Sequence, residues 1–529
     1  MHCGFPFHAF NPHSILNPWT SLDSFIHSFF FFLFIMRASV VVIVAAVAVL
    51  SVAAAAPLRL HLNANSRLAD SDGRERYFHG LNVVFKGPPY IPIIDSFDPY
   101  LSFSQQDVDA LTSFGLNAIR LGVMWPGVMP QDGVFNETYL DQMQRILDMA
   151  AASNMYALVE VHQDCFSEKL CGEGAPWWAV QVDPLTPAFP LPFAEPYAID
   201  PTTGLPSPAD CAKLSWSDYQ FSAASADAYQ NLYNVGSHAN YGFSTHWNRV
   251  VQRFKNQTNL LGYELLNEPF AGNLYKDPEL MVPGVADRRN LQPFYDNLNS
   301  VIRAQDPDCL IWFESTTWDD FVPMGFEHAP GGAAFANRSV VSFHYYYPPN
   351  VSPAEQFFSR ATDARHLGTG MALTEFNIDP SASTDASTKM TTTMDVADQY
   401  FSSWIGWEYK QYIPMTGYGN SIWFANGTYN WPLIKVLARS YPHAVAGTTT
   451  SFHFAAATAV FVLEYTVDTT CTLPTDIFVA ESVHYVNGYT VDITPANVVK
   501  MTSSTNHIFL SPVSSSSNGK FVTVVVRPK

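Results

Sequence analysis

Eight times between residues 77 and 409, a short apolar run of strand type ends in polar or aromatic residues. The runs are Tyr77–Lys86, Asn117–Trp125, Tyr156–Asp164, Leu260–Pro269, Cys309–Ser315, Val340–Tyr346, Met371–Asn377 and Ser402–Tyr409. Segments of helical spacing separate them, such as Tyr139–Ser153, and His246–Asn256 with Trp247, Val250, Val251 and Phe254 on one face. Eight strand–helix repeats predict an α/β fold, a (β/α)8 TIM barrel over residues 57–440. In such barrels the chemistry sits at the C-terminal ends of the strands. Lys86, Trp125, His162, Asp164, Glu268, His344, Tyr346, Glu375 and Trp407 all fall there.

Two of these residues carry a specific chemistry. Leu260-Leu-Gly-Tyr-Glu-Leu-Leu-Asn-Glu-Pro269 puts Glu268 where Pro269 ends regular pairing, and Met371-Ala-Leu-Thr-Glu-Phe-Asn377 puts Glu375 on another strand end. A retaining glycosidase needs this arrangement: one carboxyl protonates the leaving oxygen and the other attacks the sugar carbon, with the two groups ~5–5.5 Å apart. A lone Glu is more often a salt-bridged loop residue, and the pairing is what favours catalysis. Glu264, mid-strand, is left out of the site, and Glu314 and Asp379 rank below Glu375 because their flanks lack its context.

The remainder of the chain sets bounds. Met36-Arg37, the apolar run Ala38–Leu50 and Ala53–Ala56 read as a signal peptide cleaved before Pro57, within an N-terminal extension over 1–56. The expected destination is secretion or the endo-lysosomal lumen. The alternative is a signal anchor, since the apolar stretch from Phe25 is long enough to span a membrane. Translation starts at Met1 or at Met36. Sequons stand at Asn136, Asn256, Asn337, Asn350 and Asn426. Cys165 and Cys171 are placed to close a small loop in an oxidising compartment, although spacing leaves the pairing open. Nearly eighty residues rich in Pro, Trp and Ala follow Asp164, a length that points to a functional insertion. Beyond residue 440 short strands replace helices, predicting a β-sandwich over 441–529 with a hairpin at Ser482–Asp492 turning on Asn487-Gly488. A net charge of −19 argues against nucleic acid as a partner, and no Cys/His cluster has metal-ligand spacing, so neither a metal nor a cofactor is expected.

His162-Gln-Asp164, Gly172-Glu-Gly-Ala-Pro-Trp-Trp178, Leu266-Asn-Glu-Pro269, His344-Tyr-Tyr346 and Leu373-Thr-Glu-Phe376 together resemble glycoside hydrolase family five. Within it they most resemble the endoglycoceramidase branch. Asn-Glu-Pro and the later Glu identify the clan, and the His-Gln-Asp end followed by Gly-x-Gly-Ala-Pro is narrower. Cys165 and Cys171 depart from the pattern and bear on the loop they flank. The resemblance implies hydrolysis of the bond between the oligosaccharide and the ceramide of a glycosphingolipid, at a membrane or micelle surface. It implies Glu268 as acid/base and Glu375 as nucleophile, with Asn267 on the sugar 2-hydroxyl and Tyr346 orienting Glu375. His344 would bind a sugar hydroxyl or steady the acid, and Arg120 would pair with Glu375 from beneath. His162 and Asp164 are expected on glucose hydroxyls, with Lys86 nearby and Trp407 as a stacking floor. The apolar stretches 87–94 and 176–193 would line a lipid groove.

Three other readings remain open. A secreted endo-β-glucanase or mannanase predicts an open cleft with aromatic platforms on both sides. A glucosylceramidase or steryl-glucosidase predicts a pocket closed after one sugar. A glycan- or lipid-binding protein on an inactive barrel is disfavoured by the retention of both Glu268 and Glu375. Oligomeric state is not readable from the sequence.

Overall fold

A computed structural model describes residues 57–319, 322–346, 351–410, 412 and 421–529. The expected signal segment 1–56 and the sequon at Asn350 lie outside the described residues. Among the described residues, no helix is long and apolar enough to cross a membrane.

Three short strands come first: β1 (Leu60–Leu62), β2 (Leu68–Asp70) and β3 (Glu75–Arg76). The barrel follows as β4 (His79–Val83), β5 (Ala118–Gly122), β6 (Tyr156–Glu160), β7 (Leu260–Glu264), β8 (Ile311–Phe313), β9 (Ser339–Tyr345), β10 (Gly370–Phe376) and β11 (Trp404–Gly406). The strands pair in chain order, and β11 returns in parallel to β4 to close the barrel. Nearly every barrel-strand residue is buried, which is why the runs read as continuous apolar stretches rather than alternating ones. Their helices bury one face each. The helix His238–Phe254, capped by the Ser237 side chain, buries Phe243, Trp247, Val250, Val251 and Phe254. Gly262 is required in β7: its φ is +143°, and a Cβ there would lie 2.3 Å from the Leu310 carbonyl oxygen of the next strand's approach.

The insertion after β6 contains helices of its own, including Ala223–Tyr233, and a disulfide joins Cys171 to Cys211. The expected Cys165–Cys171 loop is therefore corrected. Cys165 is a buried free thiol whose Sγ donates to the Trp216 carbonyl at 2.9 Å, while Cys171, in the left-handed region, ends a short 3-10 helix and pairs with the helix Pro208–Cys211.

Beyond the barrel come β12 (Tyr441–Val445), β13 (Gly447–Ala455), β14 (Val460–Val467), β15 (Thr475–Phe478), β16 (Tyr489–Thr494), β17 (Val499–Ser504), β18 (His507–Pro512) and β19 (Phe521–Pro528). They form two antiparallel sheets, β1-β2-β3-β12-β15-β18-β17 and β13-β14-β19-β16. Two expectations are corrected here. The first sheet takes three strands from residues 60–76, inside the span 57–440 expected for the barrel domain. No hairpin forms at 482–492: Glu481–His484 is a helical turn that leads into buried Tyr485, and β16 pairs with β19 instead. Tyr485 drives this choice, because its ring sits in the core and its hydroxyl donates to the Ala459 carbonyl at 2.7 Å.

Candidate active site

Arg120 of β5 stands fully buried inside the barrel and organises it. Its Nε donates to Glu264, its Nη1 to Asn82 Oδ1 at 3.0 Å and to Glu375 Oε2 at 3.3 Å, and its Nη2 to Asn267 Oδ1 at 2.9 Å. Glu160 and Glu314 lie 3.7 and 3.6 Å from Nη2. Burial opposes the guanidinium charge, but Glu264, Glu160, Glu375 and Glu314 together overcome it and raise the pKa. The expected Arg120–Glu375 pair is present, but the closer carboxylate is Glu264, the one left outside the site. Its reading as a mid-strand residue conceals its role: Glu264 ends β7 and points into the barrel at Arg120, not at the lip.

Glu375 closes β10. Tyr346 Oη donates to its Oε1 at 2.5 Å, and Arg120 holds Oε2. Burial raises its pKa; His344 and Arg120 pull it down, Glu268 pushes it up, and the net direction is upward. Glu268 sits four residues past β7 with φ +42°, a left-handed backbone that a non-glycine residue holds only under constraint. Gln163 supplies one constraint by donating from Nε2 to the Asn267 and Glu268 carbonyls at 2.8 and 3.0 Å. Glu314 supplies another by accepting the Glu268 N–H at 3.1 Å. The Glu268 carboxylate meets His344 Nδ1 at 2.8 Å. One oxygen from Glu268, one from Glu375 and a ring nitrogen of His344 all lie within 4.8 Å of one another. That proximity leaves room for direct attack by one carboxylate, and too little for the interposed water of an inverting enzyme.

Asn267 is buried, with Oδ1 on Arg120 and Nδ2 donating to the Gln163 carbonyl at 3.1 Å. One Nδ2 hydrogen remains for a sugar hydroxyl. Across the site, Lys86 pairs with Asp164 and lies 3.0 Å from Glu173 Oε1. Its ammonium stands 4.8 Å from the Trp407 ring centroid, and the His162 and Trp407 rings stack at 5.1 Å and 16°. Burial and Lys86 oppose charge on His162, but Glu160 and Asp164 together overcome them and lift its pKa to about 9. Glu173 is pushed up to about 8 by burial, against the pull of Lys86. Ten of the residues singled out in the sequence thus meet at one end of the barrel, while Trp125 packs against Trp178 and Phe243. Sequence reasoning missed Asn82, Gln163, Glu173, Glu264 and Glu314. Gln163 and Glu173 sat inside quoted motifs, whereas Asn82, Glu264 and Glu314 carry no local signal.

Among the described residues, a group outside the barrel also has metal-ligand proximity: single ligand atoms of His443, Asp476 and His507 lie within 4.8 Å of one another in the seven-stranded sheet. Asp476 there already accepts a 2.7 Å hydrogen bond from His507 Nδ1.

Residues 93–412 match the model for cellulase, glycosyl hydrolase family 5, and residues 439–526 match the family 5 C-terminal domain. The chain belongs to glycosyl hydrolase family 5. Among family 5 relatives, the endoglycoceramidase of Cyanea nozakii is 41% identical over 462 residues, covering 86% of this chain and 91% of that protein. That of Hydra vulgaris is 42% identical over 454 residues, covering 84% of each. The fold matches endo-glycoceramidase II from a Rhodococcus species in complex with ganglioside GM3, with a TM-score of 0.70 and 21% identity over 88% of this chain and 99% of that one. The same bacterial enzyme has also been solved as a lactosyl-enzyme intermediate, with a TM-score of 0.69. This family 5 chain is therefore a glycoside hydrolase whose carboxylate geometry is that of a retaining enzyme.

Proposed function

We propose that this family 5 enzyme cleaves the bond between the oligosaccharide and the ceramide of glycosphingolipids with retention of configuration. The observation that carries the reading is the Glu268–Glu375 pair with an oxygen of each within 4.8 Å. The endoglycoceramidases matched over 84–91% of their length support the substrate. Glu375 attacks the anomeric carbon while Glu268 gives its proton to the glycosidic oxygen, and ceramide leaves with its hydroxyl restored. Glu268 then takes a proton from water, the water oxygen bonds to the anomeric carbon, and Glu375 is released. The His344 ring steadies the carboxylate that Glu268 becomes. Lys86, Asp164, His162 and Trp407 form the wall facing the sugar, with Asn267 toward the 2-hydroxyl. Product analysis on a ganglioside and on lactosylceramide tests the reading. Intact oligosaccharide plus free ceramide is the expected result, while single sugars, or activity confined to soluble β-glucan, would overturn it.

The lipid part has apolar surface to meet. The insertion after β6 exposes Trp177 (43%) and Leu185 (92%), and a cavity of about 580 Å³ beside Tyr346 is lined by Phe376, Val351, Pro353 and Met390. We infer that the insertion meets the ceramide or the lipid surface holding it. No Lys or Arg lies between Lys169 and Lys213, so this face suits an uncharged lipid surface better than an anionic one. Of the paired tryptophans, only Trp177 serves as a probe. Trp178 packs edge-on against Trp125 at 5.5 Å and donates to the Met129 carbonyl, so its loss would disturb the core. Trp177→Ala with Leu185→Ser is expected to lower kcat/KM about tenfold on micellar ceramide substrates and less than twofold on an aryl lactoside, from the apolar area removed. Equal loss on both substrates would refute lipid contact. Passage through an oxidising compartment, on the way to secretion or the endo-lysosomal lumen, is supported by the Cys171–Cys211 disulfide.

A further inference from the structure

His344 lies between two carboxylates. Its Nδ1 bonds Glu268 Oε1 at 2.8 Å, and its Nε2 lies 3.1 Å from Glu314 Oε1, an ion-pair contact without hydrogen-bond alignment. Glu314 follows β8, and its other oxygen accepts the backbone N–H of Glu268 at 3.1 Å. One buried side chain therefore grips the backbone of the acid and, through an imidazole, faces its carboxyl. Tyr295 Oη anchors the segment by donating to the Glu314 carbonyl at 3.0 Å.

We propose that Glu314 is a positioning residue for the acid/base, holding Glu268 in its left-handed backbone and balancing the charge of His344. The proposal rests on Glu268 being the acid/base. The groups facing His344 are Glu264 of β7, Glu268 after it, Glu314 after β8 and Glu375 of β10 at 3.9 Å. Arg120 of β5 and Tyr346 after β9 complete the surround, and His162 and Glu160 of the β6 end act on it through Glu375 and Arg120. Burial disfavours charge on His344, but Glu314, then Glu375 and Glu268, raise its pKa well above the ordinary value, so it stands as an imidazolium. Burial lifts Glu314 to about 7, against the pull of His344.

The sign follows from charge. Glu268 works protonated, so the basic limb of the pH profile marks loss of its proton. Replacing Glu314 by Gln leaves the imidazolium uncompensated on that side, while Glu268 and Glu375 still keep it charged. An uncompensated cation favours the carboxylate form of Glu268, and the basic limb moves to lower pH.

The test measures initial rates on an aryl lactoside from about pH 4 to 9 for wild type, Glu314→Gln and Glu314→Asp. In the Gln variant the basic limb is expected to move acidward by about one unit, with Asp keeping the wild-type limb at a reduced kcat. Should the Gln variant not fold, Glu314→Ala with formate supplied gives the same reading, formate returning the limb to its wild-type position. An evenly scaled profile with an unmoved limb, or the same displacement in Asp, would overturn the proposal. Glu268→Ala is measured alongside. If it keeps wild-type rates, the acid/base assignment fails; if it is inactive while the Glu314→Gln limb stays put, only the present proposal fails.

Discussion

Glu375→Gln is expected to lower kcat by roughly 10⁴-fold or more with little change in thermal midpoint, because a nucleophile is lost and its volume kept. The amide cannot form the glycosyl-enzyme bond, and its single oxygen can accept from only one of Tyr346 Oη and Arg120 Nη1, the two donors that hold the wild-type side chain. A 2-deoxy-2-fluoro lactoside with a good leaving group should add one glycosyl mass to the peptide carrying Glu375 and leave the variant unlabelled. Label on another peptide would defeat the assignment. The pH profile carries a second mark. Glu375 works ionised and its pKa is raised, first by burial, so the acid limb of the wild type should stand above the ordinary Glu value. Activity falls as pH drops through that raised value.

Arg120→Met should cost about 3–5 kcal/mol of stability, the usual penalty for removing one partner from a buried ionic group, and should also remove activity. Four carboxylates, Glu160, Glu264, Glu314 and Glu375, lose their shared cation, and Asn82 and Asn267 lose a donor. Without the cation, burial raises the pKa of those carboxylates. A raised carboxylate contributes stability below its unfolded pKa and loses it as pH rises, so the variant's deficit should grow from acid toward neutral pH. Chemical denaturation at two pH values measures this, and a deficit independent of pH would contradict it. Arg120→Lys should not rescue, since one ammonium cannot reproduce a fork that reaches six side chains.

What the sequence discloses here depends on how local the physics is. The barrel was legible because each buried parallel strand is a continuous apolar run, and Glu268 and Glu375 because each ends such a run. Glu264 and Glu314 were not, since their meaning comes from Arg120 and His344, which arrive from other strands. The Cys171–Cys211 pairing spans 40 residues and the β3–β12 pairing far more, and neither leaves a mark in neighbouring residues. The misplaced hairpin failed for a different reason: Asn487-Gly488 is a sound turn signal, overridden by the buried Tyr485 ring.

The joining of β3 to β12 has a consequence for how the polypeptide is made. Arg76 pairs with Ala444, and β4, the barrel's first strand, begins three residues after Arg76. On a ribosome releasing the chain from its N-terminus, the sheet that leads into the barrel waits for partners made more than three hundred residues later. The two ends must meet before either is finished, so a deletion of the final domain would unseat the barrel's own entrance rather than yield a smaller working enzyme.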